Sequence, residues 1–242
     1  MAIDDPSGTH TVHGVPSPHG GPDSQEAAPQ AGLTHERVGM FTDAVFAIAM
    51  TLLAIELPRP EGEAAEPHGD RLAMAAELWR YLTEHSGTFL AFVIAFMMLW
   101  TAWRQHHRLF DRITYLSRGM MLLHLPMLIF VALLPYPTAL VGDNSANPLS
   151  VTLFAGSEAV LLLCQAGLIT SALRGPIKPG TDIRRLRVFA VSLWAVGGFW
   201  LLTAALTWVM DNVPLLWLLT PVVAVAAVRV GRRLIPEPAG TA

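Results

Sequence analysis

The sequence predicts an all-α integral membrane protein: six transmembrane helices with both termini on the cytoplasmic side. Three observations carry that prediction. They are a low charged fraction, apolar residues grouped into six long blocks, and arginines sorted between alternate connections. Of 242 residues, 52% are hydrophobic and only 14% charged, where a soluble domain has about a quarter charged. The mean hydropathy is +0.44. This composition argues against a disordered chain, a nucleic-acid binder and a typical soluble enzyme. The single cysteine, Cys164, excludes an intrachain disulfide framework and a Cys-based zinc site.

A spanning helix needs roughly 20 mostly apolar residues, because the hydrocarbon core is about 30 Å thick. Six blocks qualify: 38–57, 87–103, 119–141, 149–173, 186–210 and 213–230. Residues 34–233 therefore form one membrane domain, and 234–242 a short C-terminal tail. Residues 1–33 are rich in Pro, Gly, Ser and His without apolar periodicity, which predicts a disordered tail. They do not read as a signal peptide, being acidic near the start and lacking an apolar stretch. His10, His13 and His19 offer weak metal ligands there, but a solvated tail is the favoured reading.

Within the blocks, Pro126 and Pro214 mark kinks or helix starts. Gly197-Gly198 fits close helix packing more than a hinge. Glu158, with Gln165 two turns deeper, reads as an interhelical hydrogen-bond group or a proton-linked site, the first being favoured. The longest connection, 58–86, begins irregularly at Pro58, Pro60, Gly62, Pro67 and Gly69. Leu72, Ala75, Ala76, Leu78, Trp79 and Leu82 then repeat at helical spacing, predicting an amphipathic helix over 72–85.

Orientation follows from the arginines. Alternating connections carry Arg37; then Arg104, Arg108, Arg112 and Arg118; then Arg174, Lys178, Arg184, Arg185 and Arg187; then Arg229, Arg232 and Arg233. Thirteen of the 16 Lys and Arg residues thus fall on one side. That side is the cytoplasm by the positive-inside rule.

The first span holds the polar residues that need explanation. An ionised carboxylate at the centre of a span costs at least about 2.5 kcal/mol, and less near the ends. Asp43 lies one to two turns inside, so it takes hydrogen-bond partners or faces an ion or proton path. At about 100° per residue, Thr51, Leu52 and Ile55 fall within about 60° of Ile48, while Asp43 lies about 140° away. A stripe of Ile48, Thr51, Leu52 and Ile55 therefore excludes Asp43, which favours the network reading. Thr42, Trp103, Arg104, His106, His107 and His124 are placed at the same depth and can satisfy it. Trp103 and His107, four residues apart, share a helix face. Adjacent His106 and His107 point different ways, which argues against a shared metal or haem.

The string Arg37-x-x-x-Phe41-Thr42-Asp43-Ala-Val-Phe-Ala-Ile48-Ala-x-Thr51-Leu52-Leu-x-Ile55-Glu56 resembles the first span of the prokaryotic transmembrane protein 175 family, the lysosomal potassium channel family. Trp103-x-x-His106-His107-x-x-Phe110 is similar to that family's element at the end of the second span. Leu134-Pro135-Tyr136-Pro137-Thr138 is similar to its Leu-Pro-Phe-x-Thr element in the third. The resemblance runs from Arg37 to about Leu140. The family's usual Phe-Ser-Asp reads Phe41-Thr42-Asp43 here, which keeps the hydroxyl and adds a methyl.

The resemblance implies a potassium-selective channel in a bacterial plasma membrane, assembled as a homotetramer whose first helices line a central pore. It implies a constriction at Ile48, followed outward by Thr51, Leu52 and Ile55. Arg37, Phe41, Thr42 and Asp43 would hold the helix in register, supported by Trp103, His106 and His107. The partners would be other copies of the chain, the bilayer and permeating potassium ions, with no cofactor, no enzymatic activity and no nucleic acid. Thr51 faces the ion path or bonds back to Ala47. Glu56 concentrates cations at the mouth or solvates the helix end. The alternative is a proton-coupled secondary transporter using intramembrane carboxylates. That class favours internal repeats and broken helices, which the first span lacks.

Overall fold

The computed structural model describes residues 35–60 and 70–236. The tail expected over 1–33, with its three histidines, lies outside the described residues, as do 61–69 and 237–242. The described residues form eight α-helices and one 3-10 helix, joined by a single isolated bridge between Ile113 and Ile177. Five helical stretches are long and apolar enough to cross a membrane, and six when one bent pair counts as a single span.

Helix α1 spans His35–Ile55. Helix α2, Arg71–Glu84, is the amphipathic helix of the first connection, opened by Asp70 accepting from the Ala73 amide at 2.8 Å. Helix α3, Ser86–Phe110, runs seven residues beyond the span expected to stop at 103. Arg104, His106, His107 and Arg108 therefore continue its faces rather than entering a loop. A helix satisfies its backbone internally, so charge at its end does not stop it at the membrane boundary.

The third block is not one straight helix. It breaks into α4, Arg118–Leu133, and α5, Pro135–Asp143, with a 42° bend between them. Pro126 sits inside α4, and the sharp bend falls at Pro135 instead. Pro135 and Pro137 both lack the amide that would continue the ladder, so two carbonyls lose their donors within one turn. Thr138 resumes the ladder after the break: its amide and hydroxyl both donate to the Leu134 carbonyl, at 3.1 and 2.7 Å.

Helix α6, Pro148–Ala172, is the hub, with 67% of its apolar stretch buried inside the chain, against 28% for α1. It is apolar on all sides, as a helix surrounded by others must be. It packs most extensively on α7, Ile183–Leu206, and then on α4. A Cβ on Gly197 would lie 2.8 Å from Leu163, so glycine permits that α6–α7 approach, whereas Gly198 faces open space. The last block is also composite. A 3-10 helix, Val213–Leu219, with Pro214 near its start, leads into α8, Thr220–Leu234, with Pro221 in its first turn.

The α3–α4 and α6–α7 connections are laced together. Thr114 donates its amide to the Pro176 carbonyl at 2.7 Å, and Lys178 its amide to Arg112 at 2.8 Å. Lys178 Nζ reaches the Asp111 carbonyl at 2.9 Å.

Candidate functional site on the first helix

Helix α1 has two faces. Val38, Thr42, Phe46, Ala49 and Leu53 are buried, spaced by three and four residues, against α3 and α4. The opposite face is bare within the chain: Ile48 is 59%, Leu52 38% and Ile55 60% exposed, and Thr51 is exposed beside them. Phe41 lies on this bare side too, at 62%. The Thr51 hydroxyl donates to the Ile48 carbonyl at 2.7 Å rather than to Ala47, one of the two alternatives read from the sequence. Its two lone pairs remain available.

The structure brings the polar residues of α1 to α3 and α4. The Trp103 indole N–H donates to Asp43 Oδ1 at 2.9 Å. His107 Nδ1 stands 3.7 Å from Asp43 Oδ2, and its ring stacks on Trp103 with centroids 5.7 Å apart. His107 Nε2 lies 4.0 Å from Asp111. These groups are only part-buried, so water shares in their solvation.

Thr42 makes a separate and fully buried link. Its hydroxyl donates to the Val38 carbonyl at 2.8 Å and lies 2.7 Å from His124 Nε2. With its one proton given to Val38, Thr42 Oγ1 accepts from the imidazole, which assigns His124 as the Nε2–H tautomer. Helix α4 is thereby tied to α1.

His106 joins this cluster differently from the hydrogen-bonded imidazole the sequence suggested. Both its nitrogens are buried without a hydrogen-bond partner among the described residues. Its ring packs on Phe110 at 4.1 Å, His124 at 5.0 Å and Phe46 at 6.3 Å between centroids. A planar ring on the α1-facing side of α3 is held here by dispersion with rings tilted at 34–59° to it. Phe46 and Phe110 are the members a search for polar residues passes over. Their spacing from the motif, on its buried helix faces, is the signal that finds them. Arg37 and Phe41 are exposed residues of α1.

Glu158 is fully buried in α6, and neither of its oxygens meets a hydrogen-bond donor among the described residues. This corrects the expectation of an interhelical hydrogen bond. Gln165 makes one instead, donating to the Ala102 carbonyl of α3 at 2.7 Å. Among the described residues no group of three or more His, Cys, Asp or Glu side chains could hold a metal ion.

Residues 37–135 match the family described as endosomal/lysosomal potassium channel TMEM175. A potassium channel of Streptomyces collinus is 34% identical over 107 residues, covering 44% of this chain and 47% of that protein. A potassium channel of Chamaesiphon minutus is 29% identical over 123 residues, covering 50% of this chain and 57% of that one. The endosomal/lysosomal proton channel TMEM175 of Danio rerio is 35% identical over 116 residues, 48% of this chain and 22% of that protein. The chain spans about half the length of the bacterial relatives it matches. The fold is similar to the crystal structure of a lysosomal potassium-selective channel TMEM175 homologue from Chamaesiphon minutus. The TM-score is 0.63 at 22% identity, over 82% of this chain and 98% of that one. The motif of the first span and the family match make residues 37–135 of this chain similar to the TMEM175 family.

Proposed function

We propose that the chain is the subunit of a homotetrameric channel that conducts potassium passively across the bacterial plasma membrane, with both termini in the cytoplasm. The observation that carries this reading is the bare face of α1. A helix whose other face is buried against α3 and α4 leaves Ile48, Leu52 and Ile55 in a continuous apolar stripe. One such stripe encloses nothing. Cyclic symmetry turns it into rings.

In that arrangement the Ile48 ring is the tightest point, and Leu52 and Ile55 continue the apolar path outward. Such a constriction gates by dewetting. Thr51 supplies the side-chain oxygen nearest the ring, in place of part of an ion's hydration shell. Arg37, Phe41, Thr42 and Asp43 hold the helix in register, with Trp103, His106 and His107 behind them. The membrane domain is 34–233, and the channel uses no cofactor beyond the permeating ion and carries out no enzymatic reaction.

A flux assay on the full chain in liposomes with a potassium gradient tests this, run with and without a proton ionophore. Downhill potassium flux that persists with the ionophore supports the channel. Uphill movement driven by a pH gradient overturns it in favour of a proton-coupled transporter working through Glu158 or Asp43.

A further inference from the structure

On the arginine-rich side, a cavity of about 850 Å³ opens between α3, α7 and α8. Its wall carries Arg104 and Arg108 on α3, Arg112 in the turn just after it, Arg184 and Arg185 on α7, and Arg232 on α8. The single carboxylate in the wall is Asp182, whose Oδ1 is already used to cap α7 on the Arg185 amide at 2.8 Å. Arg184 is tied to the end of α8, donating to the carbonyls of Ile235 and Arg232 at 3.0 and 3.1 Å. The other five arginines are in no ion pair among the described residues. The laced connections hold Arg112 toward this wall. Like charges converged on one cavity repel one another, so an anion within it relieves each of them at once.

The cavity does not end in water on its membrane side. A second, mostly apolar groove of about 440 Å³ shares Thr101, Gln105, Phe189, Val228 and Arg232 with it. The groove follows α7 from Phe189 to Val196, about 10 Å into the apolar zone at the helical rise. Gln105 lines both spaces, and its buried Oε1 has no hydrogen-bond partner. A charged chamber at headgroup depth, an unsatisfied amide level with its deepest α3 arginine, Arg104, and a mostly apolar slot below are stacked in the order of a phospholipid's phosphate, glycerol esters and acyl chain.

We propose that this cleft is a binding site for an anionic glycerophospholipid of the adjacent leaflet. The phosphate sits among Arg104, Arg108, Arg112 and Arg232, where planar guanidinium forks take phosphate oxygens in pairs. Gln105 faces the ester level, and one acyl chain occupies the groove between α3, α7 and α8. Basic clefts between membrane helices recognise anionic headgroups by this chemistry. The site needs the bilayer and not the ion path, so its failure leaves the conduction reading untouched.

Native mass spectrometry of the full chain, in detergent doped with dioleoylphosphatidylglycerol or dioleoylphosphatidylcholine, tests the proposal. The expected result is one tightly held phosphatidylglycerol per chain and no comparable retention of phosphatidylcholine. The double variant Arg108→Gln/Arg232→Gln should weaken apparent affinity by about thirtyfold, at about fivefold per arginine. Arg187→Gln, outside the wall, should leave it unchanged. Ala224→Trp keeps every charge but fills the groove, and should abolish retention of the lipid. Equal retention of phosphatidylcholine would overturn the assignment. So would displacement of the lipid by inorganic phosphate at matched concentration, which marks a soluble-anion site. So would a wild-type protein that holds no lipid while the double variant changes its oligomeric state, which marks the cleft as the seat of a neighbouring subunit.

Discussion

The indole N–H of Trp103 donates to Asp43 Oδ1 at 2.9 Å, so the one carboxylate in the body of α1 is answered from α3. The bond turns Asp43 away from the Ile48 stripe and toward the neighbouring helix. Asp43→Asn keeps an acceptor for Trp103 and removes the charge opposite His107. It should lower thermal stability or tetramer yield while leaving ion preference in place. Trp103→Phe should cost about 1 kcal/mol by the same route, since the pair is part-exposed. Thermal unfolding beside bi-ionic reversal potentials checks both. A stable tetramer with altered preference would put Asp43 in the ion path.

Thr42 is the stricter site. Thr42→Val keeps the shape and leaves the His124 Nε2–H buried without an acceptor, a loss of about 1–3 kcal/mol. Thr42→Ser keeps the hydroxyl and should lose far less. Melting curves of the two variants in the same detergent distinguish the hydrogen bond from simple packing.

Ile48→Asn replaces the side chain at the proposed narrowest ring with one that holds water. Single-channel conductance should rise severalfold, because a wetted constriction no longer has to expel its water before an ion passes. Unchanged unitary currents would move the gate elsewhere on α1.

Thr51→Val removes the oxygen whose proton is committed to the Ile48 carbonyl. The potassium-to-sodium permeability ratio should fall, read as a shift in reversal potential under bi-ionic conditions. An unshifted potential would mean that Thr51 serves the helix alone.

Much of the fold was legible because membrane helices announce themselves by length and composition. The amphipathic α2 and five long apolar helical stretches, six when the bent pair counts as one, appear among the described residues near the blocks that hydropathy marks. What hydropathy does not register is backbone supply of donors. Pro135 and Pro137 are apolar by any scale, yet they split the third span, and Val213–Leu219 winds as a 3-10 helix within an equally apolar block. The Thr42–His124 link was readable by depth, since both residues sit near the same end of their helices. The ring packing of His106 was not, because a histidine's polarity suggests hydrogen bonds where its planarity is what the structure uses. The arginine cleft was half visible. Arg104, Arg108 and Arg112 recur every four residues through the end of α3 and the turn after it, but their counterparts on α7 and α8 come from distant sequence, and only tertiary structure brings them to one wall.

The separation of partners along the chain sets a schedule for synthesis. Trp103 lies 60 residues after Asp43, and His124 lies 82 after Thr42. At about 5–20 residues per second, the newborn first helix waits about 3–12 seconds for its indole, and longer for its imidazole. Throughout that interval Asp43 has only water or lipid headgroups to solvate it. Its place in the first turns of α1, rather than mid-span, keeps it at the interface where both are at hand. The same two residues that later fix the helix in the finished protein thus hold it near the membrane surface until their partners arrive.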